Sequence, residues 1–261
     1  MIKKVLTIAG SDCSGGAGIQ ADLKTMTMYK VFGMSVITAI TAQNTLGIAA
    51  IHPVPCDIIA AQLDAVWSDL PPDAVKIGMI PDAPSIRVLV DKLKKYRARN
   101  IILDPVGAST SGTKLIGDGA YEILTEELMP LATLITPNLS EAEKISGIKI
   151  ASIDEMIFAG RAIRQKIGTD ILIKGGHLEK SKTDILFTEK GEILFEGENI
   201  PNPNTHGTGC TLSSAIACGL ALGKNIADAV RDAKRYVALA IRDGLDLGGG
   251  CGPLNHMHAM E

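Results

Sequence analysis

Short apolar runs alternate with helix-patterned segments along the chain, and this alternation limits the possible folds more than any other feature. Val5–Ala9, Val75–Met79, Ile101–Leu103, Thr133–Thr136 and Asp170–Ile173 read as buried strands, short and mostly apolar. Between them, Ile19–Tyr29, Pro55–Leu70, Pro84–Tyr96, Ala120–Met129 and Glu155–Ile167 read as helices. In the second of these, Ile58, Ile59, Leu63, Val66 and Trp67 recur at helical spacing. Repeated strand–helix–strand units close in a right-handed sense around a largely parallel sheet with helices on both faces. Two places break the pattern. Met34–Ala42 and Ile48–Val54 are successive extended segments joined by a turn, which predicts a small β hairpin or flap. Asp184–Thr188 and Glu192–Glu196, around Glu189-Lys190-Gly191, predict an antiparallel hairpin at the sheet edge. No linker rich in proline, serine or charge divides residues 1–261. The expectation is one α/β domain.

Composition narrows the function by exclusion. The net charge is −3 and no Lys/Arg run exceeds a pair, which argues against nucleic acid or a membrane surface as partner. The stretch MIKKVLTIAGSD turns polar too soon for a secretory leader and reads as a first strand. No apolar run approaches the ~18 residues needed to span a bilayer. Cys13, Cys56, Cys210, Cys218 and Cys251 are scattered without a C-x-x-C pair. Neither a disulfide framework nor a zinc site is expected, and a reducing cytoplasm fits best.

The polar clusters fall where the carboxyl ends of the strands should be, the edge at which such sheets bind ligands. Gly10–Gly18 holds four glycines between a strand and a helix, yet lacks the G-K-[ST] of a Walker A loop. Asp104 and Lys174 each close a strand, and Asn138 is placed to cap a helix containing Glu141. Asn204-Thr205-His206-Gly207-Thr208-Gly209-Cys210 delivers the chain to a buried helix read over Leu212–Leu222. Free N–H groups and the helix dipole make such a turn an anion site. Cys210 lies at that spot, where thiolate character is expected to rise. Gln43 ends the first flap strand and offers a donor and an acceptor on one amide. Two acids, a lysine and an anion hole suit a nucleoside triphosphate, Mg²⁺ and a phosphoryl group in transfer. Apolar Ala42, Met79 and Val106 with Gln43 suit a small flat organic acceptor. A last long amphipathic helix is read over Ile226–Arg242, and His256 and His258 beyond it are expected on a solvent-exposed chain end.

The segments LTIAGSDCSGGAGIQADLKT, VITAITAQNT, KIGM, LDPV, LITPNLSEAE, LIKGGH and NTHGTGCTLSSAIA closely resemble the ribokinase-like superfamily. Within it they are most similar to the hydroxymethylpyrimidine and phosphomethylpyrimidine kinases of thiamine biosynthesis. Most ribokinase-like sugar kinases carry Asp where this chain has Cys210, and the cysteine points to the pyrimidine and vitamin B6 branch. The resemblance implies ATP- and Mg²⁺-dependent phosphorylation of 4-amino-5-hydroxymethyl-2-methylpyrimidine to the monophosphate, then to the diphosphate. It implies an anion hole at Gly207, Thr208, Gly209 and Cys210, with Cys210 as the base for the acceptor hydroxyl. Gln43, Gly10, Asp22, Met79 and Val106 are implied in the pyrimidine pocket, and Lys174, Asn138 and Thr205 beside the ATP phosphates. Asp104 and Glu141 are implied as holders of Mg²⁺, and a homodimer is implied as the assembly. The chain departs from the pattern at Cys13, where a proline is usual, and at Gly107, where a larger apolar residue is usual; both bear on substrate selectivity. A pyridoxine or pyridoxal kinase of the same branch and a non-catalytic pyrimidine-binding regulator are the alternatives.

Overall fold

The computed structural model describes residues 1–108, 112–113, 115–117, 119–176 and 182–258. The polar loop expected over Ser109–Gly119 lies partly outside the described residues, and His177 wholly so.

The elements are β1 (Lys4–Asp12), α1 (Gly18–Met28), β2 (Phe32–Asn44), β3 (Gly47–Pro53), α2 (Cys56–Asp69), β4 (Ala74–Ile77), α3 (Ala83–Lys95) and β5 (Ile101–Leu103). They continue with α4 (Ala120–Ile123), β6 (Leu134–Ile135), α5 (Leu139–Ser146), α6 (Ile153–Ile167), β7 (Asp170–Ile173), β8 (Asp184–Thr188), β9 (Gly191–Phe195), α7 (Thr208–Ala221) and α8 (Ile226–Arg242). Among the described residues they form one nine-stranded sheet in the order β3-β2-β1-β4-β5-β6-β7-β8-β9. Every pairing from β2 to β7 is parallel. The two hairpins, β2–β3 and β8–β9, are antiparallel, as is β7–β8.

The two-residue period of the strands divides the core between the two faces. Leu6, Ile8, Ile101 and Leu103 point to the face covered by α2, α3, α5 and α6, where they meet Leu63, Leu89, Ile145 and Ile163. Val5 and Ile102 point the other way, against Ile216 of α7 and Val230 of α8. Lys76 lies in β4 between Val75 and Ile77, with its side chain fully buried.

Three local expectations need correction. The helix expected over Ala120–Met129 is a short α4 followed by a π turn, Leu124–Leu128, and a 3-10 turn, Met129–Leu131. Pro130 lacks an N–H and crowds the preceding carbonyls, so an α-helix does not run through it. The helix after the glycine turn starts at Thr208 instead of Leu212, because Gly207 at φ 85° is its N-cap.

The third correction concerns the tail, which packs against the body of the protein. Gly252 N–H donates to Asn204 Oδ1 at 3.0 Å, and Cys251 N–H to Thr45 O at the flap tip at 3.1 Å. His256 is 3% exposed, with Nε2 2.9 Å from Thr211 Oγ1. Its carbonyl accepts from Tyr236 Oη at 2.8 Å, and the His258 ring packs on Tyr236. Burial, helped by the Lys24 ammonium, depresses the His256 imidazole from its ordinary value to about 4. The unfolded chain therefore binds the proton more readily, and stability falls as pH drops from 6.5 towards 4. Between pH 7 and pH 5 this contribution is about 2 kcal/mol. Urea unfolding at the two pH values should show it, and His256→Gln should remove most of the difference.

Candidate active site

The strand order sets out the site. Moving across the carboxyl edge from β2 to β7, the chain brings Gln43, Gly10, Met79, Asp104, Asn138 and Lys174 to one cavity of about 1030 Å³. Val106, Glu141 and the turn Thr205–Cys210 also line it. Thirteen of the fourteen residues expected at the site are therefore brought together. Asp22 is the exception. It is fully buried beneath the site, with Oδ2 accepting from Thr7 Oγ1 at 2.6 Å and Oδ1 from Ser214 Oγ at 2.7 Å. Lys76 Nζ lies 2.9 and 2.8 Å from the two oxygens. With all four contacts made inside the protein, Asp22 is not among the cavity-lining residues.

The anion turn is shaped by close backbone approach. Gly207 holds φ 85°, and a Cβ there would lie 1.9 Å from Gly16 O, so only glycine fits. Thr208 Oγ1 donates to Thr205 O at 2.6 Å and tightens the turn. Cys210 is the third residue of α7, within the first turn whose N–H groups have no helical partner. The expectation of a depressed thiol nevertheless fails. Burial pushes the Cys210 thiol up from its ordinary value, outweighing the Lys76 ammonium and a hydrogen bond from Gly18 N–H. Taking a charge out of water costs more here than that cation and that hydrogen bond return.

Beside this turn stand the acids and the lysine. Lys174 Nζ lies 2.8 Å from Asp104 Oδ1, which also accepts from Thr136 Oγ1 at 3.1 Å. A Cβ on Gly209 would be 3.2 Å from Asp104 Oδ2 and 3.5 Å from Lys174 Nζ, so the turn abuts the pair. Burial opposes the lysine's charge, but Asp104 and Glu141 outweigh it and hold its pKa above the ordinary value. Asn138 and Glu141 form a reciprocal capping box on α5. Glu141 Oε2 accepts from Asn138 N–H at 2.8 Å and Oε1 from Gly107 N–H at 3.4 Å. Burial, and then the nearby Asp104, raise the Glu141 carboxyl above its usual range.

Among the described residues no three His, Cys, Asp or Glu side chains form a closed metal site. Mg²⁺ is usually held by one or two carboxylates plus substrate phosphates and water. Two buried carboxylates beside a phosphate-sized anion turn fit that ion.

Other residues in or beneath the cavity are not singled out by the sequence. Asp12 and His206 join the two glycine loops, with His206 Nε2 2.9 Å from Asp12 Oδ2. Their motifs were visible, but the pairing across 194 positions was not. Leu212, Val237 and Ile241 give the cavity an apolar wall, which on sequence alone reads only as helix core. Lys76 carried a usable signal, since a lysine inside an apolar strand needs a counter-ion.

The phosphomethylpyrimidine kinase family matches residues 12–255. The chain is 48% identical over 98% of its length to the thiamine biosynthesis bifunctional protein ThiED of Geobacter sulfurreducens, but spans only 53% of that protein. It is 47% identical to the hydroxymethylpyrimidine/phosphomethylpyrimidine kinase of Rhizobium meliloti, covering 97% of this chain and 96% of that one. Among solved structures, the phosphomethylpyrimidine kinase of Clostridium difficile is similar at TM-score 0.83 and 48% identity, covering 92% of this chain and 99% of that one. An ADP complex of Bacillus subtilis pyridoxal kinase is similar at TM-score 0.90 and 35% identity, covering 100% and 99%.

Proposed function

From the fact that the chain belongs to the phosphomethylpyrimidine kinase family, we propose that it phosphorylates 4-amino-5-hydroxymethyl-2-methylpyrimidine with ATP. The same site then converts the monophosphate to the diphosphate used in thiamine assembly. The observation that carries this reading is the meeting, in one cavity, of a heterocycle-reading amide and a phosphoryl-transfer set. Gln43 supplies the first; Gly207–Cys210, Asp104, Glu141 and Lys174 supply the second.

The chain's own residues divide the work. The N–H groups of the Gly207–Cys210 turn face the charge on the transferring phosphoryl group. Lys174, a compact cation beside them, neutralises phosphate oxygens and exchanges part of its contact with Asp104 for them. Asn138 and Thr205 flank the phosphates. Asp104 and Glu141 would hold Mg²⁺, which when bound offsets charge on the phosphates. Gln43, Gly10, Met79 and Val106 hold the ring so that its hydroxymethyl oxygen faces the γ-phosphate, and Cys210 takes the hydroxyl proton. Much of the rate comes from this positioning.

The same reading places the whole chain, as one kinase domain and a homodimer, in the cytoplasm, with neither nucleic acid nor membrane as partner. Among the described residues no helix is long and apolar enough to cross a membrane. Pyridoxal is the competing acceptor, favoured by the close likeness to a pyridoxal kinase structure. ATP turnover with Mg²⁺ on hydroxymethylpyrimidine, its monophosphate and pyridoxal, with products identified by mass, decides between them. Diphosphate formed from the pyrimidine is the expected result. Turnover confined to pyridoxal would transfer the chain to the B6 activity, and ligand binding without ATP consumption would make it a regulator.

A further inference from the structure

Gln43 stands between two groups that dictate how its amide must point. On one side, His206 Nε2 lies 3.2 Å from Gln43 Nε2 and 2.9 Å from Asp12 Oδ2. The Asp12 carboxyl also accepts from Ser14 N–H at 2.9 Å, Ser14 Oγ at 2.7 Å and Ala17 N–H at 2.8 Å. Against the cost of burial, these donors with His206 hold it well below the usual carboxylate range, so it only accepts. His206 Nε2 must therefore carry a hydrogen. Two donors then face each other across the contact with Gln43 Nε2.

The other side shows the opposite conflict. Thr41 Oγ1 has one hydrogen and lies 2.9 Å from Ser11 O and 3.2 Å from Gln43 Oε1. The shorter contact, to a backbone carbonyl that can only accept, takes that hydrogen. Thr41 then meets the amide oxygen with a lone pair. Oxygen and nitrogen of an amide are nearly identical in shape, and the hydrogen-bond network decides between them. Turning the amide over removes both conflicts at once. Oε1 then accepts from His206 Nε2–H, shared with Asp12, and Nε2 donates to Thr41.

With both flanks occupied, one amide hydrogen and one oxygen lone pair remain for the cavity, in a fixed order. We propose that His206, held by Asp12, is a specificity-determining positioning residue that locks Gln43 to read the amino-and-ring-nitrogen edge of an aminopyrimidine. The inference rests on the functional reading above, in which Gln43 meets the ring. An oxo heterocycle presents an acceptor and a ring N–H, the reverse order. Its ring cannot turn over to compensate, because the hydroxymethyl group must face Cys210. Gly16 provides for this arrangement, since a Cβ there would come within 2.3 Å of His206 Cδ2.

The experiment has two parts. First, long-range ¹H–¹⁵N spectra of the unaltered protein should place a proton on His206 Nε2. Second, kcat/KM is compared for the aminopyrimidine and its 4-oxo analogue in the unaltered protein, His206→Phe and His206→Gln. The unaltered protein should prefer the amino compound by about 100-fold or more. His206→Phe should reduce that ratio at least tenfold through the analogue's gain as well as the substrate's loss. His206→Gln, which still carries an N–H of similar reach, should restore most of it. Gly16→Ala should act in the direction of His206→Phe by displacing the ring. If the unaltered protein phosphorylates neither heterocycle, the functional reading falls and this inference with it. If it phosphorylates the aminopyrimidine but His206 is protonated at Nδ1 alone, or His206→Phe keeps the full ratio, this inference alone is overturned.

Discussion

Cys210→Ala is expected to slow phosphorylation of the hydroxymethyl group by about 10²–10³-fold, the span of a lost general base. Phosphorylation of the monophosphate should fall less than about tenfold, within positional loss. The difference lies in the nucleophile. A hydroxymethyl oxygen must shed a proton as it attacks, whereas a phosphate oxygen is already ionised. Cys210 stands in the first turn of α7, with Gly18 N–H donating to its sulfur and the Lys76 ammonium favouring its anion. Burial nonetheless keeps the thiol above its ordinary value, so the base form grows only as pH climbs through and beyond the usual thiol range. The first step of the unaltered protein should therefore accelerate from pH 7 to pH 9, and Cys210→Ala should flatten that rise. Single-turnover assays with each acceptor separate the two steps. Equal losses in both would assign Cys210 to site geometry or charge instead of proton transfer.

The reason one half of this prediction was legible in sequence and the other was not is physical. That Cys210 opens a helix follows from a glycine turn running into small apolar residues, a purely local signal. Its raised pKa depends on burial under a folded cavity, which no local pattern reports. The strand and helix order was likewise legible, because buried strands are short apolar runs and the covering helices carry a 3.6-residue period. β2 runs two residues further at each end than the segment read as Met34–Ala42, because Phe32 and Gly33 pair with β1 and the polar Gln43 and Asn44 pair with β3. The site residues could be gathered because parallel topology puts every strand's carboxyl end on one edge. Asp22 was misplaced because its partners Lys76 and Ser214 lie 54 and 192 positions away. The glycine-rich tail has no periodicity, so its docking on Asn204 and Thr45 had no signature in sequence.

Lys76→Met should cost about 3–5 kcal/mol in equilibrium unfolding, the range for breaking a buried ion pair from one side. Both side chains of the pair are 0% exposed. Burial opposes the Lys76 ammonium, but Asp22 outweighs it and lifts its pKa above the ordinary lysine range. Remove the lysine, and the Asp22 carboxylate keeps only the hydroxyls of Thr7 and Ser214 in a dry interior. Lys76→Met with Asp22→Asn removes the unpaired charge while keeping hydrogen bonds to both hydroxyls, and should recover most of the loss. A single variant within about 1 kcal/mol of the parent would show that desolvation cancels the attraction in this pair. The pair joins β4, α1, β1 and α7 beneath Cys210, so the variant also carries a chemical reading. Without the ammonium the thiolate loses a cation that favours it, and alkylation of Cys210 by iodoacetamide near neutral pH should slow, because less of the thiol is ionised. The Asp22 carboxylate opposes the thiolate while the Lys76 ammonium favours it, so the double variant, which removes both charges, should regain reactivity together with stability, and recovery of stability alone would show that the pair acts on the fold and not on the thiol.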